Sequence, residues 1–342
     1  HWYNPSQPPG PTLARPVFDP LTLRGGNLLG WLWPRWLKAY RVVRKALKKE
    51  KYDALFVGQV LPLGTVAYLL CRRVPYAVFT HGMDVLAAQQ SSRKRWLLKK
   101  ILVHAKLTVA NSEFTKGIVQ KILCGEKLTI VRNPPQVEVV YPCPSAMSAP
   151  RQEEVEALRR KLGLVGKKVL LTLGRVVSRK GHDMVIQALP EILNHVPEAV
   201  YVIAGVGPDL ERLGTLVEQL KLQSAIRFVG KISDEERAAY FALCDLFVMP
   251  ARHIGPDAEG FGIVYLEAAL FGKVTVGGRS GGVAEAILDP APSHIGGRRG
   301  VGGQTGVLVD PNDMNALARV VVQLLRDDHL RAELGKNARA RV

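Results

Sequence analysis

The stretch VLLTLGRVVSRKGHDMVIQAL, residues 169–189, decides how the chain is read. Four apolar residues around one threonine run without alternation up to Gly174, the pattern of a strand buried on both faces. A short loop follows, then Gly181 and a run with helical spacing. Buried strand, loop and helix in that order are the repeating unit of a parallel sheet with crossover helices. The loop carries Arg175 and Lys180. Two cations between a strand end and a helix start suit an anion clamp, and a solvent-exposed basic loop is the plainer alternative.

The same unit recurs in both directions. Downstream, AVYVIAGVG (199–207), AIRFVGKI (225–232), DLFVMPA (245–251), KVTVGG (273–278) and TGVLVDP (305–311) read as strands with helices between them. Upstream, DALFVG (53–58), YAVFTHG (76–82), KLTVANS (106–112) and KLTIVRNPP (127–135) do likewise. PRWLKAYRVVRKALKKE (34–50) and RKRWLLKKILVH (93–104) have the spacing of basic amphipathic helices. QVEVVYPCPSAMSAP (136–150) lacks periodicity and reads as a connection between domains. The expected organisation is an α/β chain of two Rossmann-like, doubly wound domains facing across a cleft. The N-terminal domain takes residues 1–140, the linker 141–155 and the C-terminal domain 156–342. Ligands in such sheets bind beyond the carboxyl ends of the strands.

Composition narrows the class. The chain has 342 residues and is 47% hydrophobic, enough for two cores. No apolar run reaches the roughly 18–20 residues that span a bilayer. The opening HWYNPSQPPGP has no initiator Met and no signal-peptide pattern, so N-terminal sequence is expected to be missing. Cys71, Cys124, Cys143 and Cys244 are scattered without a CxxC, which signals neither zinc nor a disulfide framework and fits a reducing cytoplasm. Charge is uneven: residues 1–150 carry 22 Lys and Arg against 7 Asp and Glu, and residues 151–342 carry 25 against 23. A basic first half points to an anionic partner or to a solvated basic helix face. A nucleic-acid binder would interleave aromatic and basic residues on a sheet face and lack an organised cleft in the balanced half, and the sequence shows the reverse.

Four further places carry chemistry. EGFGIVYLEAALFG (259–272) holds two carboxylates: Glu259 before a helix that starts near Ile263, and Glu267 about a turn into it, with Gly272 as the stop. The helix start suits a phosphate, and Glu267 suits sugar hydroxyls or an ordinary surface position. Gly205 and Gly207 allow close backbone approach, but a dinucleotide fingerprint needs a third glycine at position 210, which is Leu. Ser280-Gly281-Gly282 forms a tight loop before another helix. His81, with Asp84 nearby, ends a strand in the basic half.

Together, Gly174-Arg175 with Lys180-Gly181, the spacing EGFGIVYLE, and SGGVAEAI followed by TGVLV resemble the retaining nucleotide-sugar glycosyltransferases of family four, which have the GT-B fold. The likeness is specific in the second half. In the first it rests on YDALFVG, THGMD, VANSEFTK and TIVRNPP. It implies that Arg175 and Lys180 contact the donor diphosphate, Glu259 the transferred sugar and Glu267 the nucleotide ribose. Gly174 belongs to the first motif, and Gly260, Phe261, Gly262 and Ile263 approach sugar and diphosphate. Gly205, Gly207 and Lys231 flank the nucleotide. His81 lies near the reacting centre, with Asp84 and Ser112 on the acceptor side. Three places depart from the family. The first strand and glycine-rich loop are absent, Arg132-Asn133-Pro134-Pro135 replaces Pro-Asn-Gly, and residues 289–304 are longer than usual. The chain also stops at NARARV, before the family's helix that returns to the N-terminal domain.

The chain also lacks the D-x-D pattern of metal-dependent transferases, and Asp257-Ala258-Glu259 reads as an incidental approach to it. No metal and no cofactor are therefore expected, with Arg175, Lys180 and the helix start stabilising the leaving diphosphate. ARHIGPDAEGFGIVYLEA looks most like bacterial GDP-mannose-dependent α-mannosyltransferases acting on lipids. The expectation is hexose transfer, mannose favoured, from a nucleotide sugar to a lipid-linked or glycan acceptor. The enzyme would be cytoplasmic and peripheral on the inner membrane face, its basic half meeting an anionic surface, with no nucleic-acid partner. The alternatives are a UDP-glucose or UDP-N-acetylglucosamine transferase and a nucleotide-sugar epimerase of the same fold.

Overall fold

A computed structural model gives the architecture, and the structure describes residues 34, 36–124, 136–145, 147–289 and 303–342. The chain divides into two compact units, His1–Pro142 and Cys143–Val342.

In the second unit the continuous apolar runs become six parallel strands: β5 (Lys168–Leu173), β6 (Ala199–Ala204), β7 (Ile226–Gly230), β8 (Leu246–Met249), β9 (Val274–Gly278) and β10 (Gly306–Val309). Their order across the sheet is β10-β9-β8-β5-β6-β7. The winding therefore starts at β5, runs outward through β6 and β7, and reverses at β8. Every residue of β6 is buried, as its unbroken apolar run requires. Helices α7 (His182–His195), α8 (Leu210–Gln219) and α12 (Met314–Arg326) share one core with the sheet. There Val185, Ile192, Leu213 and Val321 are fully enclosed. Each such side chain contributes about 1.5–3 kcal/mol over an exposed one. Helices α9 (Asp234–Leu243), α10 (Ile263–Leu270), α11 (Val283–Ala286) and α13 (Asp328–Arg341) complete the layers, and α6 (Gln152–Lys161) packs on α9.

In the first unit β1 (Leu55–Val57), β2 (Tyr76–Thr80), β3 (Leu107–Ala110) and β4 (Val137–Val139) form a parallel sheet in chain order. Helices α1 (Leu37–Lys49), α2 (Leu63–Leu70), α3 (Met83–Ala88), α4 (Ser92–His104) and α5 (Glu113–Cys124) connect or flank them. Trp36, Tyr40, Val43 and Leu47 of the α1 segment pack on Val66 and Leu70 of α2, which is why that basic helix has an apolar stripe.

Two sequence expectations change. Residues 137–139, read as linker, are a strand because their backbone completes the edge of β3. Residues 152–155, placed in the linker by the division at 141–155, are the first turn of α6, where the Arg151 N–H and Nε donate to the Glu154 carboxylate at 3.2 and 2.8 Å. The strand expected at 127–135 lies outside the described residues, as do most of residues 289–304.

Candidate active site

Every loop that carries a proposed donor residue leaves the carboxyl edge of the six-stranded sheet, and those with Arg175, Lys180 and Glu259 flank the reversal between β5 and β8. After β5 the chain passes Gly174 and Arg175 and tightens into a 3-10 turn, Ser178–Lys180. It then enters α7 through Gly181 at φ +74°. After β8 it passes Pro250 and Ala251, and Ile254 and Asp257 exchange two backbone hydrogen bonds of 2.9 Å. That pair folds the loop on itself and delivers Glu259 to the foot of α10.

The two loops meet through charge. The Lys180 ammonium donates to Glu259 Oε2 at 2.5 Å, across 79 residues of sequence. Arg179 Nη1 donates to the same oxygen at 2.5 Å. Arg179 Nε stands 2.7 Å from Asp257 Oδ1, an ion pair without hydrogen-bond alignment. Lys180 and Glu259 side chains are only 10% and 12% exposed, so little water screens them. Burial alone would push the Glu259 carboxyl up. Lys180 and Arg179 more than offset it and hold the group below the usual carboxylate range. Burial also pulls the Lys180 ammonium down, against the opposing pull of Glu259. Arg175 is exposed and has no ion-pair partner among the described residues.

Glycines lock the loops together backbone to backbone. A Cβ on Gly205 would sit 1.8 Å from the Gly174 carbonyl oxygen, and one on Gly207 2.0 Å from that of Val176. Gly281 and Gly282 press on the carbonyls of Glu259 and Gly260, and Gly181 presses on that of Pro250. The Gly282 N–H donates to the Glu259 carbonyl at 2.9 Å. Gly262 opens α10 at φ +88°, where a side chain would also strike the Tyr265 ring. Tyr265 in turn donates to the Met249 carbonyl at 2.6 Å, fixing α10 to β8. Gly205 and Gly207 were expected to give a ligand room. Their close approach is to the protein's own backbone.

A family model described as Glycosyl transferases group 1 matches residues 154–341, more than half of the chain. The chain belongs to the group 1 glycosyl transferases. A second model, described as Glycosyltransferase Family 4, matches residues 6–139 of this transferase. It is 31% identical to a GDP-mannose-dependent alpha-(1-6)-phosphatidylinositol monomannoside mannosyltransferase of Mycolicibacterium smegmatis, over 86% of its own length and 72% of the relative's. It is 29% identical to a GDP-mannose-dependent monoacylated alpha-(1-6)-phosphatidylinositol monomannoside mannosyltransferase of Corynebacterium glutamicum, over 91% and 78%. Its fold is the GT-B type. The structure of Anabaena HepE in complex with UDP-glucose superposes with a TM-score of 0.68 at 22% identity, covering 89% of this chain and 76% of that one.

In the transferase Glu267 is buried on α10, and Arg237 of α9 donates to its Oε2. Burial raises the Glu267 carboxyl above its ordinary value, with Arg237 pulling the other way. Lys231 is exposed just after β7. His81, Asp84 and Ser112 all belong to the other unit. His81 is exposed after β2, with its Nε2 3.0 Å from the Gly58 carbonyl. Asp84 Oδ1 accepts from the backbone of His81 and Val85 and so starts α3. Ser112 is fully buried and accepts the Thr115 N–H at 3.0 Å, capping α5.

Sequence reasoning missed Arg179 and Arg237, and considered Asp257 only as part of an incidental approach to a metal motif. Asp257 and Glu259 instead grip one guanidinium from two sides. Their spacing of two was the available signal, since alternate residues of an extended loop can point the same way. Among the described residues no group of three His, Cys, Asp or Glu side chains is placed to hold a metal ion.

Proposed function

We propose that this glycosyltransferase moves a mannosyl residue from GDP-mannose to a lipid-linked or glycan acceptor, retaining the anomeric configuration and using no metal. The observation that carries the reading is the Lys180–Glu259 pair at the sheet's reversal, beside unpaired Arg175 and the start of α10. As the anomeric carbon–oxygen bond breaks, its electron pair goes to the diphosphate. Arg175, Lys180 and the free N–H groups of α10 are suited to stabilise that charge. The acceptor oxygen forms the new bond on the same face, and its proton passes to a donor phosphate oxygen. Glu259 orients the sugar and Glu267 the ribose.

Two mannosyltransferase relatives support the donor choice. UDP-glucose in a structural neighbour keeps a UDP-sugar transferase as the second reading. Turnover with GDP-mannose, UDP-glucose and UDP-N-acetylglucosamine, each with and without EDTA and acceptor, decides between them. GDP-mannose should be used in EDTA and only with acceptor. Acceptor-free interconversion would make the protein an epimerase, and loss of turnover in EDTA would sink the metal-free mechanism. In the same assay Glu267→Ala should mainly weaken GDP binding, whereas Glu259→Ala should mainly cripple turnover.

The enzyme is also proposed to sit on an anionic membrane face. No helix among the described residues is long and apolar enough to cross a membrane. On α4, Arg93, Lys94, Arg95 and Lys99 are exposed, and Trp96 is 60% exposed with Lys100 over its ring. Basic residues around an exposed tryptophan suit a lipid interface. Cosedimentation with anionic vesicles at low salt, weakening as salt rises, is the expected result. Failure to cosediment would remove this part.

A further inference from the structure

The loops beyond the carboxyl edge of the six-stranded sheet lie in a row set by the strand order. Gly205 and Lys231 follow β6 and β7 at one end, Lys180 and Glu259 follow β5 and β8 in the middle, and the loops after β9 and β10 form the other end. At that far end lies a cleft of about 320 Å³ that the donor chemistry leaves unused. Arg252 and His253 of the β8 loop, Arg279 and Ser280 of the β9 loop, and Asp310 and Asn312 after β10 line it.

The polar groups there are only partly committed. Arg252 Nη2 donates to Asp183 Oδ2 at 2.7 Å, which anchors its guanidinium by one nitrogen. Arg279 Nη2 reaches the Leu308 carbonyl at 3.3 Å and stands 3.8 Å from Asp289 Oδ2. A well-formed charged hydrogen bond is about 2.7–2.9 Å, so Asp289 holds Arg279 loosely. The Arg279 side chain remains 43% exposed. The Ser280 hydroxyl oxygen is shielded from solvent and has no partner among the described residues. Among the described residues Asp310 is the one carboxylate lining the cleft, and its Oδ1 accepts the Asn312 N–H at 2.9 Å within a local turn. Two guanidinium forks, a hydroxyl and an imidazole match the oxygens of a phosphate group. With about 30 Å³ per water in liquid, the volume holds a phosphate ester with hydrating waters.

We propose that this cleft binds a phosphate group of the acceptor. The inference rests on the transferase reading of the neighbouring loop. Gly281, next to Ser280, packs on the Glu259 carbonyl, so an anion in the cleft would sit beside the transferred sugar. The same chemistry occurs in a phospholipid headgroup and in a soluble phosphate ester, and the test separates them.

The full chain, saturated with GDP to fill the diphosphate site, is titrated with inorganic phosphate. It is then titrated with phosphatidylcholine vesicles with or without phosphatidylinositol. Phosphate should bind the GDP-loaded protein. Arg279→Gln should weaken it about tenfold, the effect of losing one charged hydrogen bond, and leave GDP affinity unchanged. His253→Ala, on an exposed loop, should weaken it less and serves if Arg279→Gln fails to fold. Displacement of phosphate only by phosphatidylinositol vesicles assigns the lipid headgroup, and its absence assigns a soluble ester. Phosphate binding that disappears on GDP loading, or that both variants leave unchanged, overturns the proposal. Absence of GDP binding to the unaltered protein is a separate result and sinks the donor reading instead.

Discussion

Lys180→Met is expected to lower kcat by about 10²–10³-fold, the cost of removing one fixed stabilising group from a developing oxyanion. Methionine keeps the buried stem and deletes the charge. It also leaves the Glu259 carboxylate with Arg179 alone. Breaking a buried pair costs about 3–5 kcal/mol, and the remaining guanidinium should keep the loss near the lower end. The pH dependence has a definite sign. The Glu259 carboxyl lies below its ordinary 4.5 in the folded protein. Its ionisation thus contributes stability that is present above the unfolded value and lost as pH falls through the folded one. Lys180→Met should shrink that contribution and move the acid limb of the stability curve upward. Glu267, raised by burial, acts with the opposite sign: its contribution is present below the unfolded value and lost as pH rises through the folded one. The double variant Lys180→Met/Glu259→Gln separates fold from chemistry. Denaturant titration should show recovered stability, and turnover should stay lost. A single variant that keeps turnover within tenfold of the parent would remove Lys180 from the mechanism.

Gly205→Ala is expected to destabilise the protein by about 3 kcal/mol or more, and to lower activity with it. The added methyl would lie 1.8 Å from a carbonyl oxygen and 2.9 Å from a carbonyl carbon of Gly174, neither of which can swing away. Gly205 also sits at φ +145° and donates to the Gly230 carbonyl at 2.7 Å. Left-region strain of about 1–3 kcal/mol and overpacking of about 1–3 kcal/mol both apply. Any relief moves Gly174, and Arg175 follows it. Two controls isolate the causes. Gly163→Ala, at φ +66° in open space, should show only the conformational cost of about 1–2 kcal/mol. Gly214→Ala, inside α8 with nothing within 4 Å, should stabilise by about 0.5–1 kcal/mol. Equal midpoints for the Gly205 and Gly163 variants in denaturant would refute the steric account.

The strands were legible because parallel strands covered on both faces are apolar nearly throughout, as in VLLTL and AVYVIA. The donor-loop lysine and both glutamates were legible because their spacing matches a family pattern. Their partners were not. Arg179 and Arg175 lie in the same loop, and one turns inward to Glu259 while the other stays in solvent; the 3-10 turn at Ser178–Lys180 makes that choice. Arg237 meets Glu267 only because α9 packs beside α10, a tertiary fact with no local signature. Val137–Val139 was missed because a three-residue edge strand has too short a pattern to stand out. Gly205 and Gly207 show the limit most plainly. The sequence marks a tight approach there without saying what approaches.

The glycine contacts also bear on how such an enzyme can diversify. Gly181, Gly205, Gly207, Gly281 and Gly282 each meet a main-chain carbonyl, a group every residue supplies. The frame is thus blind to the side chains of its partners. Exposed positions of the β8 loop such as Ile254 and Pro256 can exchange side chains while the scaffold around Glu259 keeps its shape. Evolution, or an engineer, can revise the vocabulary of that loop as long as the grammar of the glycines is left alone.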